Sequence, residues 1–66
     1  MQLIINGEAL DTPQLNTVAD LARWLGLPNF GSAVELNGSV IRKADHANIS
    51  LKEGDRLEIV RLVGGG

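Results

Sequence analysis

Apolar and polar residues fall in short blocks along this chain, and the period of the blocks changes from strand to helix and back. Met1 to Ile5 is rich in strand formers and runs into Asn6-Gly7, the dipeptide that most readily takes positive φ at both central positions of a type I′ turn. A second strand is predicted over about Glu8 to Thr12. It stops at Pro13, which has no N–H to give a sheet ladder. From Thr17 the period becomes helical: Thr17-x-x-Asp20 has the spacing of a capping box, and Val18, Leu21, Ala22 and Leu25 form one apolar stripe. Gly26 suits a left-handed cap, Leu27 an apolar contact closing it, and Pro28 a full stop. A helix of about nine residues is marginal in isolation, so packing has to hold it.

Asn29 to Ser32 reads as a loop. Beyond it Ala33-Val34-Glu35-Leu36 alternates, meets a second Asn-Gly at Asn37-Gly38 and returns as Ser39-Val40-Ile41. The segment Arg42 to Ser50 is polar and irregular, with one helical turn expected near Ala44 to Ala47. Lys52-Glu53-Gly54-Asp55 is turn chemistry ahead of the closing run Arg56 to Val63. Two strands, a helix and then further strands predict an α+β domain: a mixed sheet of four or five strands with one main helix on one face. If Leu57 and Ile59 face that helix, alternation turns Glu58, Val60 and Leu62 to the other side, and Glu35 joins them if Val34 and Leu36 point inward. An apolar group rimmed by carboxylates suits a docking surface; scattered exposed apolar residues are also ordinary.

Size narrows the functions available. A chain of 66 residues with one hydrophobic pattern is a single domain, and a domain of this size buries only about 60% of its unfolded surface. A deep catalytic cleft would compete with the core, so an autonomous enzyme is not expected. Cysteine is absent, which removes disulfides, thiolate catalysis and sulfur-ligated metals. The net charge of −2, the pI near 5.1 and the scatter of the six basic residues argue against nucleic acid and anionic membranes. Apolar runs such as Leu3-Ile4-Ile5 fall far short of a membrane span, and no basic stretch precedes an apolar one at the start. A soluble, cytoplasmic protein, monomeric when free, is expected.

The last three residues are Gly64-Gly65-Gly66. Without Cβ atoms they reach conformations closed to other residues and pass through channels too narrow for a side chain. Three extended residues span roughly 10 Å, enough to carry a terminal carboxylate into another protein's active site. Glycine-rich ends also occur as frayed tails or appended linkers. Residues 1–63 are thus expected to be the folded domain, and 64–66 a flexible tail.

Other chemistry is thin. His46 is the single histidine, without a neighbouring Ser, Cys or second His to make a catalytic or zinc site. The eight carboxylates are spread along the chain as solvated charge, turn chemistry or a helix cap. Gly54-Asp55 lacks the flanks of a phosphate loop. Trp24 suits cover over the helix–sheet boundary better than base stacking. No catalytic residue, bound cofactor or metal site is expected within the chain.

Four stretches together resemble the β-grasp, ubiquitin-like fold and, more closely, the ThiS family of sulfur carriers in thiamine biosynthesis: Met1-Gln2-Leu3-Ile4-Ile5-Asn6-Gly7, Thr17-Val18-Ala19-Asp20-Leu21, Val34-Glu35-Leu36-Asn37-Gly38, and Gly54 to Val60 through Val63-Gly64-Gly65-Gly66. The resemblance covers essentially the whole chain, and the Gly65-Gly66 ending is its most specific part. It departs in the 42–50 segment, where Arg42 and His46 stand and many relatives carry Pro and Trp. The resemblance implies that the Gly66 carboxylate is adenylated by a ThiF-like adenylyltransferase using MgATP. A persulfide donor would then convert it to a thiocarboxylate that gives sulfur to a ThiG-like thiazole synthase. Gly64 and Gly65 would thread the partner's channel, and Val60, Leu62, Glu35 and Glu58 would dock on its surface. Sulfur carriers for molybdopterin, cysteine or tRNA thiolation, and ubiquitin-like protein modifiers, share the double-glycine ending and remain alternatives.

Overall fold

The computed structural model describes residues 1–27 and 32–61, Arg61 by its backbone alone. Its elements are β1 (Gln2–Ile5), β2 (Glu8–Asp11), α1 (Val18–Leu25), β3 (Ser32–Leu36), β4 (Ser39–Ile41), a 3₁₀ helix (Lys43–Asn48) and β5 (Arg56–Arg61). The five strands make one mixed sheet in the order β2-β1-β5-β3-β4. Both hairpins turn as their Asn-Gly pairs dictate: Asn6 and Gly7 have φ of 51° and 82°, Asn37 and Gly38 of 50° and 90°. Between the hairpins, β5 pairs in parallel with β1 through Ile4↔Arg56 and Ile5↔Leu57. On its other edge it pairs antiparallel with β3 from Ser32↔Arg61 to Leu36↔Leu57. Ser32 therefore opens a strand rather than closing a loop, because β5 offers it a partner at Arg61. Pro28 and the rest of the 28–31 connection lie outside the described residues.

The helix begins and ends as its sequence signals require. The Thr17 side chain accepts from the Asp20 N–H at 3.2 Å, and the Asp20 carboxylate accepts from the N–H groups of Thr17 and Asn16 at 3.1 and 3.2 Å. That ring of donors, the Thr17 backbone first, holds the Asp20 carboxyl below its ordinary range. At the other end Gly26 sits at φ 71°. Its N–H reaches the Arg23 carbonyl at 3.1 Å and the Leu27 N–H the Ala22 carbonyl at 2.9 Å, the paired bonds of a Schellman cap.

Val18 and Leu21 of α1 close over Leu3, Ile5, Val34 and Leu57 of the three central strands, with Leu15 and Leu51 completing one buried cluster. Those last two leucines come from connections without periodicity. They are brought in where the chain before α1 meets the chain after the 3₁₀ helix: Val18 donates to Ile49 at 3.0 Å, Leu51 to Asn16 at 2.9 Å, and Thr17 bridges Ser50. Trp24 stands at the flank of the helix, 44% exposed.

Candidate functional site

The strand that leads to the glycines is held on every side. Before it, Gly54 turns at φ 83°, and the Asp55 carboxylate accepts from the Lys52 N–H at 2.8 Å and from Asn37 Nδ2 at 3.1 Å. At its start, the Arg56 N–H donates to Asn37 Oδ1 at 3.0 Å. Further along, the Ile59 N–H donates to Asn6 Oδ1 at 2.7 Å, and Asn6 Nδ2 donates to the Ile59 carbonyl at 3.3 Å. Each hairpin turn thus sends its asparagine side chain onto β5. The sequence marks these asparagines as turn formers only; their second use depends on a pairing register between distant strands.

Alternation along β5 divides its residues as expected. Leu57 is fully buried beneath the helix and Ile59 packs beside it, while Glu58 and Val60 face the other way. On that outer face Glu58 lies directly opposite Glu35 of β3, Val60 opposite Ala33, and Val40 of β4 opposite Glu35. Val60 is 50% and Val40 69% exposed. Val40, Glu35 and Glu58 consequently form one row across three strands, with Ala33 and Val60 as the next. Neither glutamate has an ion-pair partner among the described residues, so two like charges face each other across the ladder, a destabilising arrangement. Val40 belongs to the face although sequence reasoning did not single it out; its place in the alternation of a very short strand was the available signal. Leu62, Gly64, Gly65 and Gly66 lie outside the described residues.

Other features offer less chemistry. His46 Nε2 lies 3.2 Å from the Ile41 carbonyl, a local contact from the 3₁₀ helix back to the end of β4. Among the described residues no group of His, Cys, Asp and Glu side chains has the arrangement of a metal site, and no helix is long and apolar enough to cross a membrane. One hollow of about 250 Å³ opens between α1, β3 and the 3₁₀ helix, with Arg23, Lys43 and His46 at its rim. Another, of about 290 Å³, is lined by Ile5, Asn6, Leu25, Leu27 and Ile59.

Comparison with known proteins gives this geometry a setting. The family model described as the ThiS family matches residues 3–66. The chain is 39% identical over its whole length to a thiazole synthase of Paramagnetospirillum magneticum and 32% identical to a thiazole synthase of Magnetococcus marinus, covering 20% of each. It thus spans about a fifth of the length of the curated relatives it matches. Among solved structures, the crystal structure of the thiamine biosynthesis protein ThiS from Geobacter metallireducens superposes with a TM-score of 0.82 at 29% identity, each chain covered completely. An NMR structure of a thiamine biosynthesis protein from the same organism gives 0.81 at 28% identity, with all of this chain and 88% of that one covered. The ubiquitin-like β-grasp architecture expected from the sequence is therefore the fold observed.

Proposed function

The chain belongs to the ThiS family, and from that premise we propose that it is a sulfur carrier of thiamine biosynthesis, a protein co-substrate without catalytic groups of its own. A free carboxylate is a poor electrophile at neutral pH. A ThiF-like adenylyltransferase would use MgATP to join the Gly66 carboxylate to AMP, with pyrophosphate leaving. The outer sulfur of a persulfide-bearing donor would then displace AMP to form an acyl disulfide. A thiol on a partner would reduce its S–S bond to release the thiocarboxylate with formation of a disulfide, and the thiocarboxylate would deliver sulfur to a thiazole synthase. The fold's part is presentation: Gly64 and Gly65 thread the partner's channel, and Val60, Leu62, Glu35 and Glu58 dock on its surface. All of this takes place in the cytoplasm.

The observation that carries the reading is that the family match runs through the glycines to residue 66. Two further points support it. The matched relatives are named thiazole synthases, which favours thiazole formation over molybdopterin, cysteine or tRNA thiolation as the destination of the sulfur. The outer face beside the strand that leads to the glycines also combines exposed valines with carboxylates that lack ion-pair partners among the described residues, a composition suited to a partner with an apolar and cationic surface. The test is mass spectrometry of the chain after incubation with the cognate adenylyltransferase, MgATP and a sulfur source. The expected product is heavier by the exchange of one oxygen for one sulfur, located at Gly66; an unchanged mass refutes the proposal. A chain lacking Gly65 and Gly66 is expected to keep its fold by circular dichroism and to take up no sulfur.

A further inference from the structure

The parallel partnership of β1 and β5 is short. It registers Ile4 with Arg56 and Ile5 with Leu57, its last backbone bond runs from the Asn6 N–H to the Leu57 carbonyl at 2.9 Å, and there β1 turns away into Gly7 toward β2. β5 does not end at that point; it continues to Arg61 against β3. The next pair of groups that β5 presents toward β1, the N–H and carbonyl of Ile59, therefore faces an edge from which the backbone has departed. Asn6 fills the gap with its side chain. Oδ1 accepts from the Ile59 N–H at 2.7 Å and Nδ2 donates to the Ile59 carbonyl at 3.3 Å.

A primary carboxamide carries the same donor and acceptor as a peptide group, so one side chain stands in for the residue that β1 no longer supplies. Few residues meet both demands at this position. The turn holds residue 6 at φ 51°, a conformation favourable to Gly, Asn and Asp alone. Of these, Gly offers neither group and ionised Asp only the acceptor. The bond at Ile59 is the last one β5 makes on this edge among the described residues; on the other edge Ile59 stands opposite Val34 in the β3 register, with both of its own backbone groups already given to Asn6.

We propose that Asn6 is a positioning residue for the glycine tail: by clamping Ile59 it fixes the direction in which β5 leaves the sheet, and with it the point at which Gly64 to Gly66 enter the partner's active site. The inference rests on the carrier reading given above. Asn6 bonds the backbone of Ile59, between Glu58 and Val60, and makes no hydrogen bond to the outer-face side chains Val60, Glu35 and Glu58. Loss of the clamp therefore lowers the turnover of the adenylation complex and leaves docking intact.

The experiment compares Asn6→Gly, Asn6→Asp and Asn37→Gly with the wild-type chain as substrates of the cognate adenylyltransferase, following pyrophosphate release. Amide exchange at Ile59 is measured by NMR in parallel. Asn6→Gly keeps the left-handed turn and removes the clamp. Its Ile59 amide is expected to exchange about three- to tenfold faster, the range a lost hydrogen bond implies, and its kcat to fall with KM unchanged. Asn6→Asp restores the acceptor for the Ile59 N–H and is expected to recover part of the lost kcat. Asn37→Gly removes the equivalent bonds at the start of β5, far from the tail, and is expected to keep kcat. Wild-type turnover in Asn6→Gly, an effect on KM alone, or equal losses of kcat in Asn6→Gly and Asn37→Gly would each overturn the inference while the carrier reading stands. A wild-type chain that releases no pyrophosphate overturns both.

Discussion

Reversing the charge of Glu58 is expected to make the protein more stable and a worse partner. Directly opposed residues on neighbouring antiparallel strands have Cβ atoms about 5 Å apart, and Glu58 and Glu35 stand in that relation with no ion pair of their own among the described residues. Two unit charges at that separation repel by about 0.8 kcal/mol in water. Screening at physiological ionic strength, where the Debye length is about 8 Å, reduces this to about 0.4 kcal/mol. Glu58→Gln removes the repulsion, and Glu58→Lys replaces it with attraction, for a total gain of about 0.8 kcal/mol. In a domain of this length each kcal/mol moves Tm by about 4–8 °C, so Glu58→Lys is expected to raise Tm by about 3–6 °C and Glu58→Gln by about half as much. Differential scanning calorimetry at 0.15 M and 1 M salt separates this from a packing effect, since a Debye length of about 3 Å at 1 M leaves little of either term. On the carrier reading proposed above, the KM of the cognate adenylyltransferase for the same variants is expected to rise, most for Lys. A Tm that falls, or rises equally at both salt concentrations, refutes the electrostatic account of the pair. A higher Tm with an unchanged KM refutes its role in docking.

Two further perturbations test the body of the fold. Leu57 has no exposed surface and sits between α1 and both neighbours of β5, so Leu57→Ala is expected to cost about 2–5 kcal/mol; urea denaturation measures the loss, and one below about 1 kcal/mol contradicts the packing described. The lowered pKa of Asp20 means that its cap bonds stabilise the fold above its ordinary value of 3.8 and lose that effect as pH falls through the depressed folded value. The Tm difference between wild type and Asp20→Ala should therefore be full at pH 7 and close in the acid range below 3.8; a difference that widens toward acid refutes the sign.

Much of this was legible in residues whose local chemistry and tertiary role coincide. The two Asn-Gly turns, the Thr17–Asp20 box and the Gly26 cap each act within a few residues of themselves, and alternation alone sorted Val34, Leu57, Glu35, Glu58 and Val60 onto their faces. What stayed hidden depends on distant partners. Leu15 and Leu51 look like loop residues until the chain on either side of Ser50 is laid along the start of α1. The parallel pairing of β1 with β5 has no turn to announce it. The turns alone account for Asn6 and Asn37 in the sequence, and nothing local signals that their carboxamides are used again. The candidate docking residues were found by periodicity. Their opposed charges became apparent only once the β3–β5 register was known.

The position of β5 has a consequence for how the chain is made and destroyed. It is the last strand of the described chain and yet lies in the middle of the sheet, with the first hairpin on one side and the second on the other. Without it the two hairpins share no edge, and the core loses Leu57 from its centre. A nascent chain whose β5 is still inside the ribosome is therefore two unpaired hairpins and a marginal helix, and closure must await contacts between residues near opposite ends of the sequence, a slow step for so small a domain. The same arrangement works in reverse: pulling β5 out dismantles the whole sheet at once. The strand that leads toward the glycines is in this way also the one that completes the fold, and a copy that loses it loses its sheet and the centre of its core together.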